Sequence, residues 1–202
     1  MKKIFIVRHA NTKYNTEKRW QGRIDLELDE TGRWMAKRVA YRLSYENVDV
    51  IYSSPLKRAR QTAEEIAKVH GLDVVIDDRL IEGELSLWEG MQADDVKVKF
   101  KKEYEEWAKN PRANIPGVEN VESVYKRAVD FLEGLDLEKY DGIVVVTHAI
   151  VVRAIVCYVM KMPLESFREF LVGNASITTL VVHNNNWWRI LNLNERNHLM
   201  ED

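Results

Sequence analysis

Two short apolar runs, each followed directly by a histidine-containing segment, constrain the fold of this chain most. Residues 4–7 are followed by Arg8 and His9, and residues 143–146 lead to His148. An unbroken run of β-branched and aromatic residues is typical of a strand covered on both faces, as in a parallel sheet. Ligands usually bind at the carboxyl ends of such strands. We therefore expect an α/β domain with a functional site where these two strands end.

The rest of the chain alternates between helical and strand patterns. Apolar residues at helical spacing predict helices near residues 36–43, 56–70, 93–107, 119–135 and 151–158, and short apolar runs predict strands at 48–52 and 73–76. The C-terminal part predicts a β-hairpin, with strands at 178–182 and 187–193 and a turn at 184–186. No repeat or linker interrupts this pattern, so residues 1–202 are predicted to form a single domain.

Net charge, cysteine content and the length of the apolar runs limit which partners and which cellular compartment are expected. The net charge of −2 gives no electrostatic reason to expect nucleic acid or an anionic membrane as the main partner. The single cysteine, Cys157, lies in an apolar segment, which predicts a core residue and no internal disulfide. The chain opens directly into a strand and holds no apolar run of roughly 20 residues, so we expect a cytoplasmic protein outside the membrane.

Six groups of residues together resemble the histidine phosphatase superfamily, the phosphoglycerate mutase-like group. In family order, the groups are Arg8-His9-Ala10-Asn11-Thr12 with Asn15, Gln21, Gly22 and Asp25; Ser53-Ser54-Pro55-Leu56-Lys57-Arg58-Ala59 with Thr62; Leu80-Ile81-Glu82 with Trp88-Glu89-Gly90; Pro116-Gly117-Val118-Glu119; Thr147-His148-Ala149 with Arg153; and Asn174-Ala175-Ser176. They span nearly the whole chain. The resemblance implies a three-layer α/β/α fold with a mostly parallel central sheet and a C-terminal β-hairpin.

The resemblance also implies a role for each catalytic candidate. His9 would be the nucleophile that takes up the phosphoryl group, and Arg8 and Arg58 would clamp the phosphate. His148 would be a further donor, which a dianionic ligand should hold in its charged form. Glu82 would protonate the leaving alkoxide and later take a proton from water. A phosphoryl group in transfer spreads negative charge over its oxygens, so cationic groups suit this chemistry.

The same resemblance names the remaining site residues and the cofactor state. Asn15, Gln21, Gly22 and Ala149 are the substrate-binding candidates. The ligand would be a small phosphorylated metabolite, and neither a metal ion nor another cofactor is expected.

Several residues depart from the family pattern around the predicted site. Ala10, Val118, Ala149 and Ile150 stand where glycine is usual, and Asn11 stands where Glu or Gln is usual. Alanine is tolerated at such a position when its φ is negative. The bulkier Val118 and Ile150 are expected to reshape the rim of the site.

Three functions remain open at this point. A phosphomonoester hydrolase is favoured over a cofactor-dependent phosphoglycerate mutase, because mutases carry a long basic cover over the site. Here the corresponding residues, 91–117, are short, mixed in charge and contain only Arg112 as an arginine. The third alternative is a non-catalytic module that binds a phosphorylated ligand. A homodimer is also open, because the terminal hairpin can pair across a two-fold axis.

Overall fold

The computed structural model describes residues 1–183 and 187–200. In this part of the chain the strands are β1 (Lys2–Arg8), β2 (Val50–Ser53), β3 (Val74–Ile76), β4 (Gly142–Thr147), β5 (Ile177–His183) and β6 (Trp187–Glu195). The helices are α1 (Lys13–Thr16), α2 (Glu30–Leu43), α3 (Lys57–His70), α4 (Ala93–Lys99), α5 (Lys101–Lys109), α6 (Val121–Glu133) and α7 (Ala149–Val159).

The described strands form one sheet in the order β3-β2-β4-β1-β5-β6. Strands β3, β2, β4 and β1 pair in parallel, whereas β5 is antiparallel to β1 and β6 is antiparallel to β5. The prediction of a mostly parallel sheet ending in a hairpin is therefore confirmed. The predicted turn of that hairpin, 184–186, lies outside the described residues.

Alternate residues of the central strands point to opposite faces of the sheet, as the two-residue period of a strand requires. On β1, Phe5 and Val7 pack in a core with α2 and α3, whereas Ile4 and Ile6 pack in a second core with α6 and α7. The sheet is thus covered by helices on both faces. This is the predicted three-layer α/β/α architecture, and it explains why residues 4–7 are apolar without interruption.

The structure differs from the predicted helix near residues 93–107. The backbone of Phe100, with φ of −121° and ψ of 40°, leaves the helical region and separates α4 from α5. Val96 and Trp107 are nevertheless both buried in the same core. The spacing of the apolar residues therefore predicted correctly which side chains are buried. It did not predict the break at Phe100 that divides the helix in two.

Two further features bear on the sequence predictions. Cys157 is buried as predicted, and burial raises the pKa of its thiol to about 11. None of the helices among residues 1–183 and 187–200 is long and apolar enough to cross a membrane.

Candidate active site

The pairing of β1 with β4 brings the two histidines together. Arg8, at the end of β1, lies opposite Thr147, at the end of β4, so the next residues of both strands emerge side by side. The rings of His9 and His148 have centroids 5.1 Å apart, with 55° between their planes. The site therefore lies at the carboxyl ends of adjacent parallel strands, where the sequence placed it.

His9 is buried, and its hydrogen bond identifies its tautomer. The ring Nδ1 lies 2.7 Å from the carbonyl oxygen of Ala10. A carbonyl oxygen only accepts, so Nδ1 carries the proton and Nε2 keeps its lone pair. Burial lowers the pKa of His9 well below its usual value, and the positive charges of Arg58 and Arg8 lower it further. The ring is thus neutral at neutral pH, with Nε2 available to attack phosphorus.

His148 is also buried, and its ring is fixed through Ser54. Its Nε2 lies 2.7 Å from Ser54 Oγ, which also accepts the N–H of Leu56, so the Ser54 hydroxyl is free to donate to Nε2. This leaves a proton on Nδ1, for which residues 1–183 and 187–200 provide no acceptor. Burial and the charge of Arg58 lower the pKa of His148 well below its usual value. The ring is therefore neutral in the ligand-free pocket and can donate from Nδ1, whereas the charged form beside a dianionic ligand remains a prediction.

Arg8 and Arg58 flank His9 and are held by backbone carbonyl groups. Arg8 donates from Nη1 to Val172 O over 2.6 Å. Arg58, in the first turn of α3, donates to Ile24 O over 2.7 Å and to Gly22 O over 2.8 Å. Burial lowers the pKa of each guanidinium to about 10, so both keep their charge at neutral pH.

Each of these two arginines also has one N–H group that the described residues leave without an acceptor. The Nε–H groups of Arg8 and Arg58 are buried and have no hydrogen-bond partner among the residues that the structure describes. Neither guanidinium forms an ion pair within 4.0 Å in the described part of the chain. One buried and one partly buried cation, each with an unused donor, lie beside a neutral histidine and form a site suited to a phosphate dianion.

Glu82 lies on the loop after β3, and its backbone is clamped by two arginines. Arg23 donates to Glu82 O over 3.2 Å, and Arg127 donates to Arg79 O over 2.7 Å and to Ile81 O. The carboxylate of Glu119 accepts from both Arg23 and Arg127. The buried Glu82 carboxylate, which raises the pKa of Arg8 and Arg58 against the effect of burial, is thus held close to both cations.

A cavity of about 270 Å³ joins these groups. Of the residues predicted for the site, Arg8, His9, Asn15, Gln21, Gly22, Arg58, Glu82 and Ala149 line it. His148 does not belong to this lining, although its ring centroid lies 5.1 Å from that of His9. The cavity wall also contains residues to which the sequence assigned no role, namely Tyr14, Lys18, Arg19, Trp20, Leu85, Ala93, Trp107, Arg153 and Arg168.

The substrate-binding candidates Asn15 and Gln21 are oriented by neighbouring side chains. Asn15 Oδ1 accepts from the backbone N–H of Thr12 over 3.1 Å and from Asn174 Nδ2 over 3.1 Å. Gln21 Oε1 lies 3.0 Å from Thr12 Oγ1. With their oxygens engaged, both amides have their NH₂ groups left to donate to a ligand.

The departures from the family pattern fall into two groups. Ala10, Ala149 and Ile150 all have negative φ, and Ala149 and Ile150 belong to the cavity lining, so a side chain larger than hydrogen changes the wall there. Val118 was expected to reshape the rim, which is wrong: it packs in the core and does not line the cavity. Asn11 also lies outside the lining, where it donates to Thr16 and Asp29.

The two buried neutral histidines make the stability of the ligand-free protein sensitive to acid. Because the pKa of each is lowered by folding, below about pH 6.5 the unfolded state binds protons that the folded state does not. Stability is complete above the unfolded pKa and is lost as the pH falls. We expect each histidine to lower the free energy of unfolding by about 1.4 kcal/mol per pH unit in this range.

Urea unfolding at pH 7.5, 6.5 and 5.5 in a buffer without phosphate measures this dependence. His148→Asn should weaken it by about one proton, whereas His183→Asn, at an exposed position, should leave it as in the unaltered protein. An equal dependence in all three proteins would contradict the burial of a neutral His148.

Comparison with known proteins identifies the family of this chain. The family model of the histidine phosphatase superfamily (branch 1) matches residues 4–196. Phosphoserine phosphatase 1 of Hydrogenobacter thermophilus is 39% identical over 182 residues, which cover 89% of this chain and 86% of that protein. Phosphoglycerate mutase-like protein 4 of Arabidopsis thaliana is 34% identical over 203 residues, which cover 98% of this chain and 87% of that protein.

A solved structure extends the comparison to the fold. The phosphoserine phosphatase of Entamoeba histolytica in complex with 3-phosphoglyceric acid has a TM-score of 0.86 and 26% identity to this chain, covering 99% of this chain and 100% of that one. The match of the family model over nearly the whole chain, together with these relatives, shows that this protein belongs to branch 1 of the histidine phosphatase superfamily.

Proposed function

We propose that this protein hydrolyses the phosphomonoesters of small metabolites through a phosphohistidine at His9. The observation that carries the proposal is the state of His9, a buried neutral ring with Nε2 unprotonated, in a cavity shared with Arg8 and Arg58. The relatives named as phosphoserine phosphatases support hydrolysis as the reaction. The cavity of about 270 Å³ supports a small substrate.

In the first half-reaction, His9 Nε2 attacks phosphorus. The bond between Nε2 and phosphorus forms while the ester bond between phosphorus and oxygen breaks, and the protonated carboxyl of Glu82 gives its proton to the leaving oxygen. The Nε–H groups of Arg8 and Arg58 and the Nδ1–H of His148 are the unused donors for the phosphoryl oxygens. These donors are in place before reaction, which is what makes them effective.

In the second half-reaction, water attacks the phosphohistidine. The Glu82 carboxylate, now ionised, takes a proton from this water as its oxygen bonds to phosphorus. The bond between Nε2 and phosphorus then breaks, which releases inorganic phosphate and restores the neutral His9. The cycle needs one carboxyl group that alternates between acid and base.

Phosphoglycerate mutase activity is the second candidate, because one relative carries the name phosphoglycerate mutase-like protein. A mutase must keep water from its phosphohistidine while the intermediate turns over. Here residues 91–117 contribute only Ala93 and Trp107 to the cavity lining. Arg112 forms ion pairs with Glu122 and Glu165 and is not part of that lining. The segment therefore brings no arginine of its own to the substrate, which favours hydrolysis.

Incubation with 3-phosphoglycerate and a catalytic amount of 2,3-bisphosphoglycerate tests the proposal. We expect inorganic phosphate to form faster than 2-phosphoglycerate, and the His9→Ala protein to form neither. A panel of phosphorylated metabolites run alongside would rank the substrates. Accumulation of 2-phosphoglycerate ahead of phosphate would show a mutase, and release of neither product from any ester would leave only the ligand-binding alternative.

Three predictions from the sequence remain predictions: one domain over residues 1–202, a cytoplasmic location and a homodimer. The homodimer prediction concerns β6, because this strand forms one edge of the sheet. Sedimentation at several protein concentrations would measure the oligomeric state.

A further inference from the structure

The cavity contains a second pair of arginines beyond the group around His9. Arg153 projects from α7 and Arg168 from the segment between α7 and β5, and both line the cavity that His9 also lines. Arg153 Nε and Arg168 Nη1 are buried nitrogen atoms without a hydrogen-bond partner in the described part of the chain. Neither guanidinium has a carboxylate within 4.0 Å among residues 1–183 and 187–200. Two half-buried cations with unused donors therefore face the space that a substrate would occupy.

An aromatic surface holds Arg168 in this position. Its guanidinium carbon lies 5.2 Å from the ring centroid of Tyr104 and 5.4 Å from that of Trp107, and Nη2 donates to the Tyr104 hydroxyl over 2.6 Å. Trp107 is itself packed edge-on against Phe167 and Trp88, with centroids 5.6 Å away in each case. Stacking and the hydrogen bond restrict the guanidinium, so its free Nη1 has a defined direction.

Arg153 interacts electrostatically both with Arg168 and with groups around His9. Burial lowers the pKa of Arg153, the carboxylate of Glu82 opposes this effect and the charge of Arg168 adds to it, while the charge of Arg153 lowers the pKa of Arg8. Arg8, Arg153 and Arg168 all line the same cavity. A ligand whose phosphate meets His9 shares this cavity of about 270 Å³ with Arg153 and Arg168.

We propose that Arg153 and Arg168 form a second anion-binding subsite, which selects phosphomonoesters that carry a carboxylate a few atoms from the phosphate. This inference rests on the proposed function, since it places the scissile phosphate at His9. Unpaired guanidinium groups that are partly withdrawn from water favour a ligand that supplies the opposite charge. A planar carboxylate can accept one N–H from each arginine, whereas a neutral hydroxyl group would leave both charges uncompensated. Residues 91–117 then shape specificity through Tyr104 and Trp107, which position an arginine from elsewhere in the chain.

Matched substrates test the subsite. 3-Phosphoglycerate and glycerol 3-phosphate have the same carbon chain and differ in a carboxylate against a hydroxymethyl group. We expect kcat/KM to favour the carboxylate by about 10- to 100-fold, as for a lost hydrogen bond to a charged group. Phosphoserine against phosphoethanolamine is a second such pair. 1,3-Bisphosphoglycerol, with a phosphate as its second anion, separates a carboxylate subsite from a phosphate subsite.

Arg168→Met keeps an unbranched apolar side chain against Trp107 and removes the charge. Its preference for 3-phosphoglycerate over glycerol 3-phosphate should fall by about 10-fold or more, mainly through a higher KM for the acid. Arg168→Lys, which keeps the charge without the planar fork, should retain part of the preference. The control is Arg112→Met, because Arg112 is ion-paired outside the cavity, and it should keep the preference unchanged.

Outcomes for the subsite and for the proposed function can be told apart. If p-nitrophenyl phosphate is hydrolysed but the protein does not distinguish the matched substrates, the subsite is wrong and the phosphatase proposal stands. Preference for the bisphosphate over the carboxylate would assign the subsite to a second phosphate and overturn our inference. If no ester is hydrolysed, the proposed function fails, and calorimetry with 3-phosphoglycerate still decides the subsite: binding weakened by Arg168→Met supports it, and equal binding refutes it.

Discussion

His9→Ala should reduce the hydrolysis of every substrate by about 10⁴-fold or more, because the side chain that forms the covalent intermediate is lost. The remaining arginines would still bind the ester, so the loss should appear in kcat rather than in KM. Steady-state release of inorganic phosphate measures it. The exposed His183 provides the matched control, and His183→Ala should keep the activity of the unaltered protein.

Trapping the intermediate gives an independent measurement. Protein denatured in alkali during turnover should carry phosphate that is stable in base and labile in acid, as expected of a bond between phosphorus and nitrogen, and the His9→Ala protein should carry none. Peptide mapping should locate the phosphate on the peptide that contains His9. An active His9→Ala protein, or phosphate recovered on serine, would contradict the assignment.

The geometry explains why His9 rather than His148 is expected to carry the phosphate. Both rings are buried and uncharged, and they lie side by side. Only His9 lines the cavity, and its Nδ1 is engaged with a carbonyl, which leaves Nε2 as the free atom. The Nε2 of His148 is instead occupied by Ser54. The second histidine is therefore placed to donate a hydrogen bond and not to attack.

Much of the fold could be predicted from local patterns. The apolar runs of β1 and β4 indicated buried strands, and the histidines at their ends indicated the site, because parallel neighbours end at the same edge of a sheet. The pattern could not reveal that β1 and β4 are neighbours, since strand order depends on how the connecting helices pack. For Arg58 and Glu82, no local signal distinguishes a catalytic residue from an exposed one. Their assignment depended on the family resemblance.

The outer part of the cavity was largely missed, and the reason is tertiary. Arg168 follows α7 in the sequence, and it reaches the cavity only because Tyr104 and Trp107 of α5 provide an aromatic surface for its guanidinium. The sequence of residues 91–117 contains a single arginine, Arg112, whereas the contribution of these residues to the cavity is aromatic. A stripe of apolar residues predicts that Trp107 is buried, but it does not predict which cation lies against it.

Glu82→Gln should produce losses that depend on the leaving group. An alkyl phosphate needs a proton on its departing oxygen, so its phosphorylation step should slow by about 10²- to 10⁴-fold. p-Nitrophenolate leaves without a proton, so the same step with p-nitrophenyl phosphate should slow by less than about 10-fold. Glutamine keeps the shape of the side chain and an oxygen that can accept the Gly83 N–H, over 2.9 Å in the present structure. The loop, which Arg23 and Arg127 clamp through its backbone, should therefore stay in place.

The measurement has to isolate the first half-reaction, because Glu82 is also the proposed base of the second. Single-turnover release of p-nitrophenol or of the alcohol reports phosphorylation of His9 alone. In the steady state, both substrates should slow together, since hydrolysis of the shared phosphoenzyme becomes limiting when the base is absent. Glu84→Gln is the matched control: Glu84 neighbours the same loop, but it accepts from Ser86 and does not line the cavity. If single-turnover losses were equal for the two leaving groups, Glu82 would only position the substrate, and the proton donor would have to be sought at Glu89, whose carboxylate lies against Gly22 of the cavity wall.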